Sequence, residues 1–304
     1  MKRPLIVWGS LLVLVGIAAC LIAAASDTSQ KKYLVRHKAW EGQKLRYAIS
    51  LGGEGAWTPA QAGLSSGKMT TEFVFTLVEK AMRENGECTY DLVGESLKSS
   101  GEGTTGRFSV TATRESCKWE LNEFKGKTQE NANPITKDMS LTVGERGAVL
   151  YGTGLQNIAL FFIVHVDPRF WGALTLAPEK EVGVGDEWQA AFDVDLPDSK
   201  GEPLKVNLKA KVTGWENYNG KRCLAGAAKA DLDLKDTWVT FKNGDRAYIN
   251  KGKYHAEGKV LWDVEKGLLC FADAQNTLLV GSDKPERRQF AGKARCTLKL
   301  LAAQ

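Results

Sequence analysis

Three histidines, six cysteines and a few spaced carboxylates are the residues of this 304-residue chain whose types allow chemistry. His37, His165 and His255 are not spaced with a second ligand as HxxxH or HExxH. General acid–base work by histidine needs a positioned partner, and the sequence supplies none. His165, close to Asp167, reads as a helix-terminal residue over the last carbonyls. Gly63-Leu-Ser65-Ser-Gly67 spells GxSxG, but a hydrolase elbow needs a buried strand before it and a helix after it. Here Thr58-Pro-Ala-Gln precedes it and a strand follows. Gly101-Glu-Gly103-Thr-Thr-Gly106 spells GxGxxG within a hairpin loop, with no helix N-terminus to hold a pyrophosphate. The carboxylates Asp186/Glu187, Asp193/Asp195 and Asp231/Asp233 are too few for calcium, which takes six or more oxygens. The last two pairs lie at i and i+2, on one face of a strand, and read as solvated. No catalytic residue, metal or cofactor is expected.

The cysteines point elsewhere. There is no CxxC and no Cys/His cluster, so metal binding is not expected. Cys88 and Cys117 flank a loop centred on residues 99–103, and Cys270 and Cys296 flank one centred on 281–285. Each pair is nearly equidistant from its turn. In an oxidising compartment this predicts disulfides Cys88–Cys117 and Cys270–Cys296, with Cys223 left over. The competing reading is five buried free thiols acting as small hydrophobes.

The compartment is argued from the N-terminus. Lys2-Arg3 precede an uncharged apolar run over 4–26, the pattern of an export signal. Three fates compete. Ile17-Ala-Ala-Cys20 fits a lipobox, with Cys20 as the lipidated residue. Ala23-Ala-Ala25 fits small-residue cleavage. Retention is the third, since the run reaches the roughly 20 apolar residues that span a bilayer. All three place the bulk of the chain outside the cytoplasm, in the periplasm or envelope, with the N-terminus as its membrane contact. Net charge is +5, and no basic run is interleaved with aromatics, so nucleic acid is excluded as a partner.

The elements that would carry any site are strands. Phe73, Phe75 and Leu77 alternate; so do Phe108, Val110 and Ala112; so do Val206, Leu208, Ala210 and Val212 against lysines and an asparagine. Asn85-Gly86 and Asn219-Gly220 are hairpin turns. Outside the N-terminus, helical spacing occurs only in the connector. There Leu155, Ile158, Ala159, Phe162 and Val166 mark one face of a short helix ended by Asp167-Pro168. Turn-and-strand patterns recur in order on either side. This predicts an all-β, mainly antiparallel protein: a curved sheet or half-barrel, duplicated, with one connecting helix and an N-terminal apolar helix. The units are 1–26, signal or anchor; 33–153, first β unit; 154–181, connector; 182–304, second β unit.

The run over 258–269, GKVLWDVEKGLL, is a strand ending in an acidic residue, a turn and a return strand. In that style the chain resembles the envelope lipoprotein-carrier half-barrels (LolA/LolB/LppX-like). No functional residue carries over. The resemblance implies a curved antiparallel sheet closed by short helices over a hydrophobic cavity. The functional expectation is a non-enzymatic envelope protein binding an apolar or lipid-like ligand in a concave sheet face. Phe161, Phe162, Phe170 and Trp171 of the connector and Trp57 of an early loop are the expected ligand-facing residues. The alternative is a structural or interaction protein with a filled core.

Overall fold

The computed structural model describes residues 31–58, 66–103, 106–122, 133–135, 138–153, 177–194, 204–234, 237–240, 246–249, 251–281 and 289–304. The fold is all-β, and no helix occurs among the described residues. The expected connector helix, with Phe161, Phe162, Phe170 and Trp171, and the N-terminal run with Cys20 lie outside them.

The first half supplies β1 (Lys44–Thr58), β2 (Ser66–Met82), β3 (Cys88–Gly103), β4 (Gly106–Thr113), β5 (Cys117–Asn122), β6 (Ser140–Val143) and β7 (Val149–Thr153). The second supplies β8 (Glu187–Val194), β9 (Leu204–Tyr218), β10 (Lys221–Leu234), β11 (Thr237–Thr240), β12 (Arg246–Ile249), β13 (Lys251–Asp263), β14 (Leu268–Gly281) and β15 (Gln289–Ala303). Eleven strands follow one path, β5-β4-β3-β2-β1-β15-β14-β13-β10-β9-β8, in a curved antiparallel sheet not closed into a barrel. Strands β6 and β7 extend it beside β3, while β11 and β12 pair separately. First and last strands are neighbours: β1 pairs with β15 along its whole length. Both halves therefore belong to a single sheet. Register shifts at Val74/Phe75, Ala225/Gly226 and Leu261/Trp262 are among the irregularities that let such long strands bend.

The register lines residues of distant strands into continuous rows. One runs Trp188, Ala210, Ala228, Gly258, Ala274, Cys296, Leu51, Thr71, Ser99, Val110, Trp119. Most of it is buried, Ala228 at 3% exposure and Val110 at 1%. Since successive side chains alternate in face, the residues between form a polar face. The apolar face packs into three clusters. The largest joins Leu45, Phe73, Phe75, Tyr90 and Leu97 to Leu261 and Leu268 of the other half. The others centre on Leu208, Tyr254 and Ala256, and on Val35, Val182 and Trp262.

Asn276 interrupts the apolar face. It lies between Ala256 and Ala294 across the strands and is 2% exposed. Its amide sits against the Tyr254 hydroxyl, yet neither amide atom meets a partner at full hydrogen-bonding geometry. Replacing two buried polar partners together by apolar groups of similar shape is close to neutral or stabilising. Asn276→Leu combined with Tyr254→Phe is therefore expected to match the parent or exceed it by up to about 1 kcal/mol. Chemical denaturation of the double variant checks this, and a clear loss would refute it.

The cysteine expectation is corrected. The five described cysteines are free thiols. β3 runs on to Gly103, which pairs with Gly106 of β4, and a later turn carries Cys117 onto β5, opposite Ala112, while Cys88 lies opposite Met82 and Val143. Cys296 faces Ala274, four residues along β14 from Cys270. Four residues of strand are about 13 Å, whereas a disulfide needs Cα atoms within about 7 Å. The thiols that do touch are those of Cys223 and Cys270, both buried. Burial pushes Cys223 up to about 12.

The segment before β1 is strapped across one end of the sheet. Tyr33 bridges Val182, and His37 N–H donates to the Glu145 carbonyl at 2.7 Å. The Arg36 guanidinium donates to the Val35, Pro178 and Glu179 carbonyls at 2.5–2.8 Å and pairs with the Glu145 carboxylate at 3.2 Å. Beneath it lies a buried polar chain. Tyr90 O–H donates to Gln43 Oε1 at 2.5 Å, and Gln43 Nε2 donates to the Lys38 carbonyl at 3.2 Å. With the Tyr90 proton thus committed, its oxygen accepts from His37 Nε2 at 2.8 Å, which assigns the Nε2–H tautomer.

Candidate ligand-binding cleft

Strand alternation places a charged row on the polar face, spanning ten strands in register: Asn207, Asp231, His255, Thr277, Lys293, Glu54, Lys68, Glu102, Arg107, Asn122. Opposite charges directly across antiparallel strands attract, and this sequence of signs is close to ideal for that. The contacts follow the register. Lys293 Nζ meets Glu54 at 2.8 Å and Lys68 Nζ meets Glu102 at 2.7 Å. His255 Nδ1 meets Asp231 Oδ1 at 2.7 Å. The flanking row brings Lys229 to Glu257 at 3.4 Å and Thr70 to Ser100 at 3.1 Å.

Over these rows runs an open cleft of about 940 Å³, lined by residues of eight strands from β5 to β13. Seven strand spacings make it roughly 34 Å long. A second cleft of about 800 Å³ lies toward the hairpin ends. Glu54, Lys68, Glu102, Arg107, Thr277 and Lys293 line both, so the charged row is their common wall. One position along from the charged row, and so turned to the other face of the sheet, Gly292, Gly55, Gly67, Gly103 and Gly106 are in register on five strands. A Cβ at Gly67 would lie 3.2 Å from the Glu102 carbonyl oxygen.

The pairs set the electrostatics. Hydrogen bonding and charge from Lys293 hold the Glu54 carboxyl below its ordinary value, and Lys68 does the same to Glu102; each lysine is raised in return. Glu257 is lowered first by Gln275, then by Lys229. All are solvated, so each pair contributes little stability. They hold the charged heads in place and leave methylene stems as cleft wall. Among the described residues no three metal-ligating side chains gather.

Trp57 is on β1, opposite Phe290 and adjacent in the chain to Ala56, which lines the second cleft. Phe161, Phe162, Phe170 and Trp171 are not among the described residues. Asp231 is solvated, as expected, and pairs with His255. The charged row escaped the sequence reading because its members come from ten separate strands. Its one legible trace is that exposed positions near strand ends so often carry charge.

No family model matches the sequence, and neither does any curated protein. The solved structures that match this chain include two of different kinds. One, described as lipid–protein interactions in lipovitellin, matches at TM-score 0.43 and 9% identity, covering 88% of this chain. This chain spans only 26% of that one. The other is the translocator domain of the autotransporter NalP from Neisseria meningitidis, at TM-score 0.26 and 10% identity, covering 96% of this chain and 97% of that one. At these values neither similarity identifies a ligand or a compartment for this chain.

Proposed function

We propose that this is a non-enzymatic protein of the cell envelope that binds an elongated, amphipathic, lipid-like molecule in the cleft across its strands. The carrying observation is the cleft itself: about 940 Å³, open along its length, with charged heads held in ion pairs along its wall. That volume lies at the upper end of the range for small-molecule sites. The export-signal pattern over 1–26 supports the envelope assignment, with lipidation at Cys20, cleavage after Ala25 and retention as its three forms.

Native mass spectrometry after gentle extraction tests this, together with displacement of a fluorescent fatty acid from the purified protein. Bound lipid mass and saturable displacement are the expected results. Clean apoprotein mass with no fatty-acid binding sinks the proposal. It would leave the second reading, an envelope interaction protein without a ligand. What favours that reading is the filling of the apolar face, where Leu208, Ala230 and Ala256 are each at most 1% exposed.

A further inference from the structure

The charged row is not balanced at its β4 end. Lys293, Lys68 and Arg107 face only two carboxylates, Glu54 and Glu102. Glu102 is already engaged by Lys68 at 2.7 Å. Arg107 Nε lies 3.5 Å from the other oxygen of Glu102, beyond ordinary hydrogen-bond length, and its side chain is 74% exposed. Among the described residues that is the only ion-pair partner recorded for this guanidinium, whose planar fork suits two-point recognition of a carboxylate or phosphate.

One rung further along the same face, the register runs Leu279, Ala291, Ala56, Ser66. This rung carries no charge. Leu279 is 53% exposed, one of few large apolar side chains left in solvent among the described residues. All four line the second cleft, whose other wall is the charged row. From Arg107 on β4 to Leu279 on β14 is five strand spacings, about 24 Å. That exceeds the half-thickness of a bilayer core, about 15 Å, which one acyl chain covers.

We propose that the ligand is an anionic single-chain amphiphile. Its carboxylate or phosphate head is held by Arg107 with Lys68, and its chain lies along the Ser66–Leu279 rung beside Lys293. This rests on the amphiphile reading above and adds the sign of the head and the direction of the chain. No covalent step is involved.

The test uses full-length protein and four probes below their micellar concentrations: oleate, dodecyl phosphate, dodecyltrimethylammonium and inorganic phosphate. Calorimetry and displacement of a fluorescent fatty acid report the affinities. Oleate and dodecyl phosphate should bind about tenfold more tightly than the cationic amphiphile and weaken with added salt. Inorganic phosphate should not compete. Arg107→Gln should weaken both anionic amphiphiles about tenfold and leave the cationic one unchanged. Leu279→Ser should weaken all three amphiphiles. Both positions are exposed, so the variants are expected to fold, which circular dichroism verifies. Equal binding of cationic and anionic amphiphiles, or an Arg107→Gln variant with parental affinity for oleate, overturns the head assignment while leaving the amphiphile reading intact. Competition by inorganic phosphate equal to that of oleate overturns the chain assignment. If no amphiphile binds, both proposals fail together.

Discussion

Acidification from pH 7 to below 4 is expected to remove about 3 kcal/mol of folding stability through one side chain, His37. Burial beneath the N-terminal strap lowers its pKa from 6.5 to about 4. The neutral ring is what the fold accommodates, with Nε2–H donating to Tyr90 and the Tyr90 proton committed to Gln43. The unfolded chain takes up its proton first as the pH falls. The contribution is therefore whole above pH 6.5, declines between 6.5 and 4, and is gone below 4. Glutamine can present an N–H near the same place without titrating. His37→Gln is expected to flatten the stability–pH curve across that window, at some cost at pH 7 for imperfect packing. Urea unfolding of parent and variant at half-unit pH steps provides the comparison. Parallel curves would show that His37 is not the source of the acid sensitivity. The carboxyls lowered by ion pairs, Glu54 and Glu102 among them, act in the same direction at lower pH. Their solvation keeps them minor.

Gly258→Ala is expected to cost about 3 kcal/mol, and Gly258→Val enough to prevent recovery of folded protein. Gly258 sits mid-strand in β13 between Ala228 and Ala274. A Cβ there would stand 2.5 Å from the Asp273 carbonyl oxygen and 2.9 Å from both Cα and Cβ of Ala274. Those are backbone atoms and a short rigid side chain, so the added methyl cannot be absorbed by a rotamer change. Relief requires β13 and β14 to separate at the centre of the sheet. Gly52 is the control. Nothing lies within 4 Å of the Cβ position there, and Gly52→Ala should be neutral or slightly stabilising through a stiffer unfolded chain. Thermal or denaturant midpoints of the two alanine variants should move apart by several times the experimental error. Equal midpoints would mean that β13 and β14 are not packed as closely as described.

Much of the local structure was legible in the amino acids. The alternation of Leu208, Ala210 and Val212 with Lys209 and Lys211 emerges as a buried face and an exposed one. Asn219-Gly220 does form the turn between β9 and β10, with both φ angles positive, at 49° and 77°, as a two-residue hairpin of the primed type requires. The cysteine pairing failed for an equally local reason. Equidistance from a glycine-rich stretch is not equidistance from a turn: β3 runs straight through residues 99–103.

Period-two alternation says which face a side chain takes, because neighbours two apart in a strand share a face. It does not say which residue of another strand lies opposite. That register is set by bulges, turn positions and the closure of β1 onto β15, contacts between residues far apart in the chain. All-β class, antiparallel strands and a face of buried apolar residues were therefore properties of the amino-acid order alone. The single continuous sheet, the charged row, the glycine row beside it and the unbalanced Arg107 exist only once ten strands are aligned. Each follows from where the strands slide against one another, not from what any one of them contains.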